Sequence, residues 1–312
     1  MKIGFVFPGQ GSQTVGMGKD IYDNYAEAQE MYKHVKEITN MDIAKITFNE
    51  TEEELNKTSN TQICILTMSL AILEILKKHN INAEVNSGLS LGEYAALIYS
   101  NILSLDEGIK IVQKRGELMQ HLVPEGNWSM AAIMGLEANQ VEELCKQIKS
   151  GFVTPANYNC PGQIVISGEK NAVEEAVQKA KEAGAKRAVE LKTSGPFHTI
   201  KLAKAAEELG KELEKVHIQE TKKQVIKNVD GMPYTENDNV KEILQKHIIS
   251  PVQFEKTINK MLEMGVDTFV EIGPGKTLSG FIKRTNKDVK ILNVNDIKSL
   301  NETIEYLKTG ME

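Results

Sequence analysis

The sequence predicts an α/β fold in which a small unit interrupts a larger one. Residues 3–7 form an apolar strand that a Pro-Gly pair ends. Residues 84–87 form a second extended stretch, which leads through a glycine-rich turn into a helix over residues 93–99. The middle of the chain, residues 127–193, carries a different order of elements. Because strand and helix patterns resume after it, we expect an α/β domain with an insertion.

Several further elements belong to the larger unit. Residues 20–59 are mainly acidic and polar, with helical spacing in places. Residues 224–229 and 267–271 are candidate strands. Apolar residues at steps of three and four predict a strong helix that ends near residues 79–80 and a closing amphipathic helix. The first helix has Ile63, Leu66, Leu70, Leu73 and Leu76, and the second has Ile297, Leu300, Ile304 and Leu307.

The insertion has the element order βαββαβ, which is the order of the ferredoxin-like unit. We expect two domains, a discontinuous one over residues 1–126 and 194–312 and an inserted one over residues 127–193. The predicted strands are 128–134, 152–157, 163–167 and 186–191, and the predicted helices are 136–149 and 171–183.

Composition excludes several classes of protein. Of 312 residues, 41% are hydrophobic and 26% charged, and the net charge of -6 argues against a general nucleic-acid binder. The longest uncharged run, residues 58–73, is shorter than the ~20 apolar residues of a membrane-spanning helix. Three well-separated cysteines without a CxxC pair suggest neither a disulfide framework nor a metal site. We therefore expect a cytoplasmic protein without membrane or nucleic-acid partners.

Residues 88–92, Gly-Leu-Ser-Leu-Gly, match the G-x-S-x-G pattern of a nucleophile elbow. In such a turn the serine hydroxyl is exposed, and the next N–H points at the same spot near a helix N-terminus. The alternative is a glycine turn that happens to hold a serine. The strand before the turn and the helix after it favour Ser90 as a nucleophile.

Of the six histidines, His198 is the best candidate for a catalytic base. It follows the rigid break Gly-Pro-Phe at residues 195–197 and precedes a new helix, a junction that points a side chain into a cleft. The alternative is an ordinary loop histidine. The other five have simpler interpretations: His34 and His217 as solvated residues, His79 as a helix-end residue, and His121 and His247 as structural residues.

Two glycine-rich segments do not predict a nucleotide cofactor. Residues 9–14 follow a strand, but Thr14 stands where the dinucleotide fingerprint needs a glycine. Residues 273–277 are similar to the end of a P-loop, but Val270 stands at its first glycine. Both segments are better explained as tight turns.

Arg115 lies on a predicted helix. Its side chain is either a solvated charge or a planar guanidinium that binds a carboxylate.

Taken together, seven motifs in order give a resemblance over essentially the whole chain. The sequence resembles the malonyl-CoA:acyl carrier protein transacylases of bacterial fatty acid synthesis and the related acyltransferase domains of polyketide synthases. The motifs are residues 7–13, 88–94, 113–119, 157–163, 195–198, 251–253 and 271–276. The resemblance implies an α/β-hydrolase-like large domain with an inserted ferredoxin-like small domain, and it implies no cofactor and no metal.

The resemblance also implies residue roles. Ser90 would be the nucleophile and His198 the general base, with the N–H groups of Leu91 and Gln10 as the oxyanion hole. Arg115 would hold the malonyl carboxylate. The remaining implied residues are Gln253, whose backbone carbonyl would orient His198, and Phe197, Met119 and Asn159, which would contact the substrate.

The implied reaction is a ping-pong transfer from malonyl-CoA to the thiol of holo-acyl carrier protein through a malonyl-serine. We expect a monomer that docks the acidic carrier through local basic pairs, residues 186–187 or 283–284. One departure is Leu89, where the family usually has histidine. A thioesterase, which would need no Arg115, and a non-catalytic carrier-binding module are the alternatives.

Overall fold

The computed structural model describes residues 1–191, 195–221 and 223–310. In this part of the chain the strands are β1 (Ile3–Phe7), β2 (Val85–Gly88), β3 (Trp128–Met134), β4 (Val153–Cys160), β5 (Gln163–Glu169), β6 (Arg187–Glu190), β7 (Gln224–Val225), β8 (Thr268–Ile272) and β9 (Lys290–Val294). The helices are α1 (Lys19–Asn24), α2 (Ala26–Thr39), α3 (Ile43–Phe48), α4 (Glu52–Asn56), α5 (Thr58–Lys78), α6 (Gly92–Tyr99), α7 (Leu105–His121), α8 (Ala138–Lys146), α9 (Lys170–Glu182), α10 (Ala203–Leu213), α11 (Val240–His247), α12 (Phe254–Glu263), α13 (Thr277–Thr285) and α14 (Ile297–Thr309). A short 3-10 helix, Ile200–Leu202, precedes α10.

Five strands form a parallel sheet in the order β7-β2-β1-β8-β9. Strand β1 lies at the centre and pairs with β2 on one side and β8 on the other. All five residues of β1 are buried, which explains why this segment is apolar throughout instead of alternating with polar residues. The predicted α/β class is therefore confirmed.

Helix α5 is the central helix of the main hydrophobic core and packs against α2 and α7. By length and composition it could cross a membrane, with a mean hydropathy of 1.4 over its most apolar window. However, 89% of that window is buried inside the protein. Its apolar surface is thus covered by neighbouring elements of the same chain.

The second sheet is antiparallel, in the order β4-β5-β3-β6. Helices α8 and α9 pack on it and enclose a separate small core. The elements follow one another as strand, helix, strand, strand, helix, strand. That this segment is a distinct ferredoxin-like domain stays a prediction, and its predicted boundary between residues 193 and 194 lies outside the described residues.

Element ends differ from the predicted ones where local polar contacts decide them. Helix α8 begins at Ala138, not at residue 136, because the Glu137 and Gln140 side chains form a reciprocal capping box. The strand predicted over residues 224–229 is only two residues long, since the chain turns back and Tyr234 N–H bonds to Val225 O. Strand β9 was not predicted because it is a partly exposed edge strand without strict alternation.

Strand β2 approaches β1 closely where it turns into α6. A Cβ atom on Gly92 would overlap the carbonyl oxygen of Phe7 at the end of β1. A Cβ atom on Gly88 would overlap the backbone of Gly92 itself. Both positions therefore require glycine, because a backbone neighbour cannot move aside as a flexible side chain can.

We expect Gly92→Ala to lower the free energy of unfolding by about 2 kcal/mol or more, since the added methyl group forces the β1–α6 contact apart. Gly280→Ala is the matched control. Gly280 lies within α13 with no atom within 4 Å of an added Cβ, so alanine should leave stability unchanged or raise it by up to about 1 kcal/mol. Urea unfolding of both variants measures the difference, and equal stabilities would contradict the proposed steric limit.

Candidate active site

Ser90 lies at the tip of the turn between β2 and α6, in a left-handed backbone conformation. Its φ is +54°, a value that a non-glycine residue adopts at a cost of about 1 kcal/mol or more. Gly88 and Gly92 on either side let the strand and the helix meet at this sharp angle. The turn pushes the serine side chain away from the backbone of both elements, as expected for a nucleophile elbow.

His198 lies in hydrogen-bonding contact with Ser90. Its Nε2 lies 2.8 Å from Ser90 Oγ, and its Nδ1 lies 3.0 Å from the carbonyl oxygen of His247. A carbonyl oxygen accepts but cannot donate, so Nδ1 carries the proton and Nε2 is free to accept the serine proton. His198 also has a left-handed backbone, with φ of +59°.

The protonation state of His198 suits a base. Burial and, to a smaller extent, the positive charge of Arg115 lower its pKa, and hydrogen bonds with the His247 and Ser250 backbone oppose the shift, so that the pKa is about 4. At neutral pH the imidazole is therefore neutral in the resting protein. A neutral imidazole in contact with a hydroxyl can accept its proton.

The prediction that the Gln253 carbonyl orients His198 is wrong. The carbonyl of Gln253 instead accepts from the N–H and the hydroxyl of Thr257, at 2.9 and 3.1 Å, in the first turn of α12. His247 is the last residue of α11, where backbone carbonyls have no partner within the helix. The acceptor for His198 is thus the carbonyl of His247 at the C-terminus of α11, and not that of Gln253, the residue just before α12.

Arg115 is fully buried on α7, with 1% of its surface exposed, and reaches the nucleophile. Its Nη2 donates to Ser90 Oγ at 3.0 Å, and its Nη1 donates to Gln62 Oε1 at 2.7 Å. The guanidinium also lies 5.4 Å from the centre of the Tyr94 ring. Burial lowers the pKa of Arg115, but from an ordinary value so high that the group stays charged.

No carboxylate pairs with this guanidinium among the ion pairs of the described residues, and its Nε has no hydrogen-bond partner there. A buried cation without an anionic partner is costly unless a ligand supplies the negative charge. A planar fork beside a nucleophile fits a substrate carboxylate well. Of the two alternatives for Arg115, the solvated charge is thus excluded by its burial.

Two backbone N–H groups next to the serine are available for an oxyanion. Neither the Leu91 nor the Gln10 N–H donates to another group within residues 1–191, 195–221 and 223–310. The N–H of Ser90 itself is occupied, since it donates to Asn228 Oδ1 at 2.7 Å. The loop that carries Gln10 lies against the elbow, because a Cβ on Gly9 would overlap the Leu89 carbonyl.

A cavity of about 220 Å³ opens onto Ser90 and His198 between the two sheets. Phe197, Met119 and Asn159, the predicted substrate contacts, all line it, whereas Gln253 does not. The buried Oδ1 of Asn159 has no hydrogen-bond partner among the described residues, which leaves it free for a ligand. Leu89 also lines the cavity, so its departure from the family pattern gives the site an apolar wall.

Three buried residues that organise this site are not predicted by the sequence patterns. Gln62 binds Arg115, Asn228 binds the N–H of Ser90, and Glu93 accepts from the backbone N–H of Asn228 at 3.0 Å. Each is a polar residue that is fully or almost fully buried. The one signal available in the sequence was an amide within the apolar run of α5, which is unusual for a core helix.

Comparisons with known proteins identify the family of the chain. A model of the acyl transferase domain family matches residues 4–304 of the chain. A malonyl CoA-acyl carrier protein transacylase from Bacillus subtilis (strain 168) is 42% identical over 309 residues, with 98% of each chain covered.

Solved structures give the same result. The crystal structure of a malonyl CoA-acyl carrier protein transacylase from Clostridium perfringens is 46% identical, covers 100% of this chain and 98% of its own, and has a TM-score of 0.95. A malonyl-transacylase solved in complex with a type II polyketide synthase acyl-carrier protein is 35% identical, with 98% and 100% coverage and a TM-score of 0.94. With a family match over nearly the whole chain and relatives at this level of identity, the chain belongs to the malonyl CoA-acyl carrier protein transacylases of the acyl transferase family.

Proposed function

We infer that this chain transfers a malonyl group from malonyl-CoA to the phosphopantetheine thiol of an acyl carrier protein, through a malonyl ester of Ser90. One observation carries the inference: Ser90 Oγ contacts both a neutral imidazole, at 2.8 Å, and a buried guanidinium, at 3.0 Å. The imidazole supplies a base for the nucleophile. The guanidinium supplies a receptor for the free carboxylate of the malonyl group.

The first half-reaction forms the acyl-enzyme. Nε2 of His198 takes the hydroxyl proton while Ser90 Oγ bonds to the thioester carbonyl carbon, and the carbonyl electron pair moves to oxygen. The N–H groups of Leu91 and Gln10 are the donors that we assign to this oxyanion. When the oxyanion collapses, the C–S bond breaks, and His198 returns the proton to the departing CoA sulfur.

The second half-reaction repeats these steps with a different thiol. His198 takes the proton of the phosphopantetheine thiol, the sulfur attacks the malonyl ester, and the C–O bond to Ser90 breaks. Proton return to Ser90 restores the enzyme. We propose that the product, malonyl-acyl carrier protein, is used in fatty acid biosynthesis. We also propose that the enzyme acts in the cytoplasm as a monomer.

A carbonyl oxygen in place of a carboxylate at Nδ1 fits a thioester substrate. A neutral acceptor fixes the tautomer of His198 but stabilises the imidazolium less than an aspartate does. Attack on a thioester is easier than attack on an amide, so this weaker support suffices for acyl transfer. The geometry at His247 therefore favours a transferase of thioesters over an amide hydrolase.

Ser90→Ala should abolish the covalent intermediate. Intact-protein mass after mixing with malonyl-CoA should show a malonyl adduct on the unaltered protein, none on the variant, and loss of the adduct when holo-carrier protein is added. CoA release without a lasting adduct would point to a hydrolase. No adduct and no CoA release from folded protein would point to a binding module.

Arg115→Ala should lower kcat/KM for malonyl transfer by about 100-fold, because the malonyl carboxylate loses a charge-assisted hydrogen bond. Acetyl transfer, which has no carboxylate to bind, should fall by less than about tenfold. Arg115→Lys keeps the charge without the planar fork and should give an intermediate loss for malonyl-CoA. Equal losses for both acyl groups would remove Arg115 from the carboxylate site.

Carrier docking is assigned to exposed basic residues on α13 and on β6, the strand that leads to the cavity-lining Leu191. Lys283 lies on α13, which lines the cavity through Thr277 and Phe281, and Arg187 lies on β6. Lys283→Glu and Arg187→Glu should each raise KM for the carrier by about threefold or more and leave KM for malonyl-CoA unchanged. Lys33→Glu on α2, which is also exposed but does not belong to an element that lines the cavity, is the control. An unchanged KM for the carrier in both variants would exclude these two residues.

A further inference from the structure

Glu93 is a fully buried carboxylate behind the catalytic pair that the mechanism above does not use. It lies in the first turn of α6, three residues after the nucleophile, with none of its surface exposed. Its Oε1 accepts from the Tyr234 hydroxyl at 2.6 Å, and its Oε2 accepts from the Asn228 N–H at 3.0 Å. A buried carboxylate is rare unless it is paired or serves a role, so its position calls for an explanation.

One line of contacts leads from Glu93 to the nucleophile. Asn228 is completely buried, and its side chain holds the elbow at two points. Its Oδ1 accepts from the N–H of Ser90 at 2.7 Å, and its Nδ2 donates to the carbonyl of Gly88 at 2.7 Å. These two bonds support the left-handed backbone of Ser90, and Glu93 fixes the backbone of the residue that makes them.

A second line of contacts leads from Glu93 to the base. Nδ1 of His247 lies 3.4 Å from Glu93 Oε2, without the alignment of a hydrogen bond. The His247 ring stacks on that of His198, with ring centres 5.2 Å apart and an angle of 29° between the planes. The carbonyl of His247 also holds Nδ1 of His198. The carboxylate thus lies next to His247 in the stacked imidazole pair, whereas Ser90 contacts His198.

We propose that Glu93 is the positioning residue shared by both halves of the catalytic pair. Through Asn228 it fixes the backbone of Ser90, and its negative charge faces the imidazole pair when His198 takes up a proton. The inference rests on the proposed transferase function, in which that protonation occurs twice in each cycle. Glu93 touches neither the substrate nor the reacting atoms.

The charges around the pair explain why a carboxylate is needed there. Arg115 on α7 is a buried cation beside Ser90, so protonation of His198 creates a second positive charge nearby. His247 on α11 is fully buried, and burial lowers its pKa well below the ordinary value, so it remains neutral. An anion at Glu93, 3.4 Å from the His247 ring that stacks on His198, would offset part of the second positive charge.

The groups around Glu93 determine the pH range in which its carboxylate is charged. Burial raises the pKa of Glu93 and the charge of Asp230 adds to this rise, whereas the hydrogen bonds from Tyr234 and Asn228 and the charge of Arg115 oppose it. The resulting pKa is about 7. The carboxylate is therefore charged above pH 7 and becomes neutral as the pH falls below it. Since the pKa of His198 is lowered to about 4, it does not titrate in the same range.

The test is Glu93→Gln, which keeps the shape of the side chain and removes its charge. At pH 8 we expect kcat for malonyl transfer to fall by about tenfold or more, with KM for malonyl-CoA within about threefold. The kcat of the unaltered protein should fall between pH 8 and pH 6, while that of the variant should stay level, because glutamine does not titrate. Tyr234→Phe should raise the pH at which kcat falls, because the carboxylate loses a hydrogen bond.

Glu271→Gln is the matched control for loss of a buried carboxylate. Glu271 is equally buried, but it accepts from the N–H groups of Leu278 and Ser279 at the start of α13. This variant should lose stability and keep the pH dependence of the unaltered protein. If Glu93→Gln likewise keeps that pH dependence, or if its kcat stays within twofold, the proposal is overturned.

Two further outcomes are separable. If Glu93→Gln does not fold, Tyr234→Phe decides, and an unchanged pH profile in that variant overturns the proposal. If the unaltered protein forms no malonyl adduct and transfers nothing to carrier protein, the proposed function itself fails. A protein that transfers malonyl normally but shows no response to either substitution retains its function and loses only the role assigned to Glu93.

Discussion

The close approach of Gly92 to the carbonyl of Phe7 is the constraint on which the site depends. It brings the start of α6 against the end of β1, so the chain between β2 and α6 has to turn within three residues. That turn holds Ser90 in a left-handed conformation and leaves the Leu91 N–H unused by the fold. The positions of the proposed nucleophile and of the adjacent N–H donor thus follow from one backbone contact, which no side chain larger than hydrogen could allow.

The other two functional groups of the site, the Arg115 guanidinium and the His198 imidazole, are buried next to neutral groups and not next to carboxylates. Arg115 contacts a neutral serine and a neutral amide, and the base is held by a neutral carbonyl. In water such a cation would be well solvated, whereas in the proposed function a substrate carboxylate supplies the compensating negative charge. The burial that keeps His198 neutral at rest also removes solvent from the Arg115 guanidinium, which is the basis of the proposed preference for a negatively charged acyl group.

Local sequence patterns predicted those features that local chemistry determines. The α/β class, the core helix and the turn that holds Ser90 all follow from periodicity and glycine spacing within short segments. Contacts across the sheet could not be predicted in this way. The carbonyl that holds His198 belongs to His247, 49 residues away, and the amide that holds Ser90 belongs to Asn228, 138 residues away. Nothing in the local sequence distinguishes the carbonyl of His247 from that of Gln253, since every residue has one.

The backbone acceptor at His247 has an evolutionary consequence. Because the oxygen that fixes the tautomer of His198 belongs to the main chain, any amino acid at that position except one that disturbs the end of α11 would supply it. Substitution of the side chain at residue 247 would therefore leave the carbonyl group that orients His198 in place. Selection at residue 247 would act on the imidazole ring and its contacts, not on the carbonyl group. A search for invariant polar side chains would therefore not identify the group that orients His198.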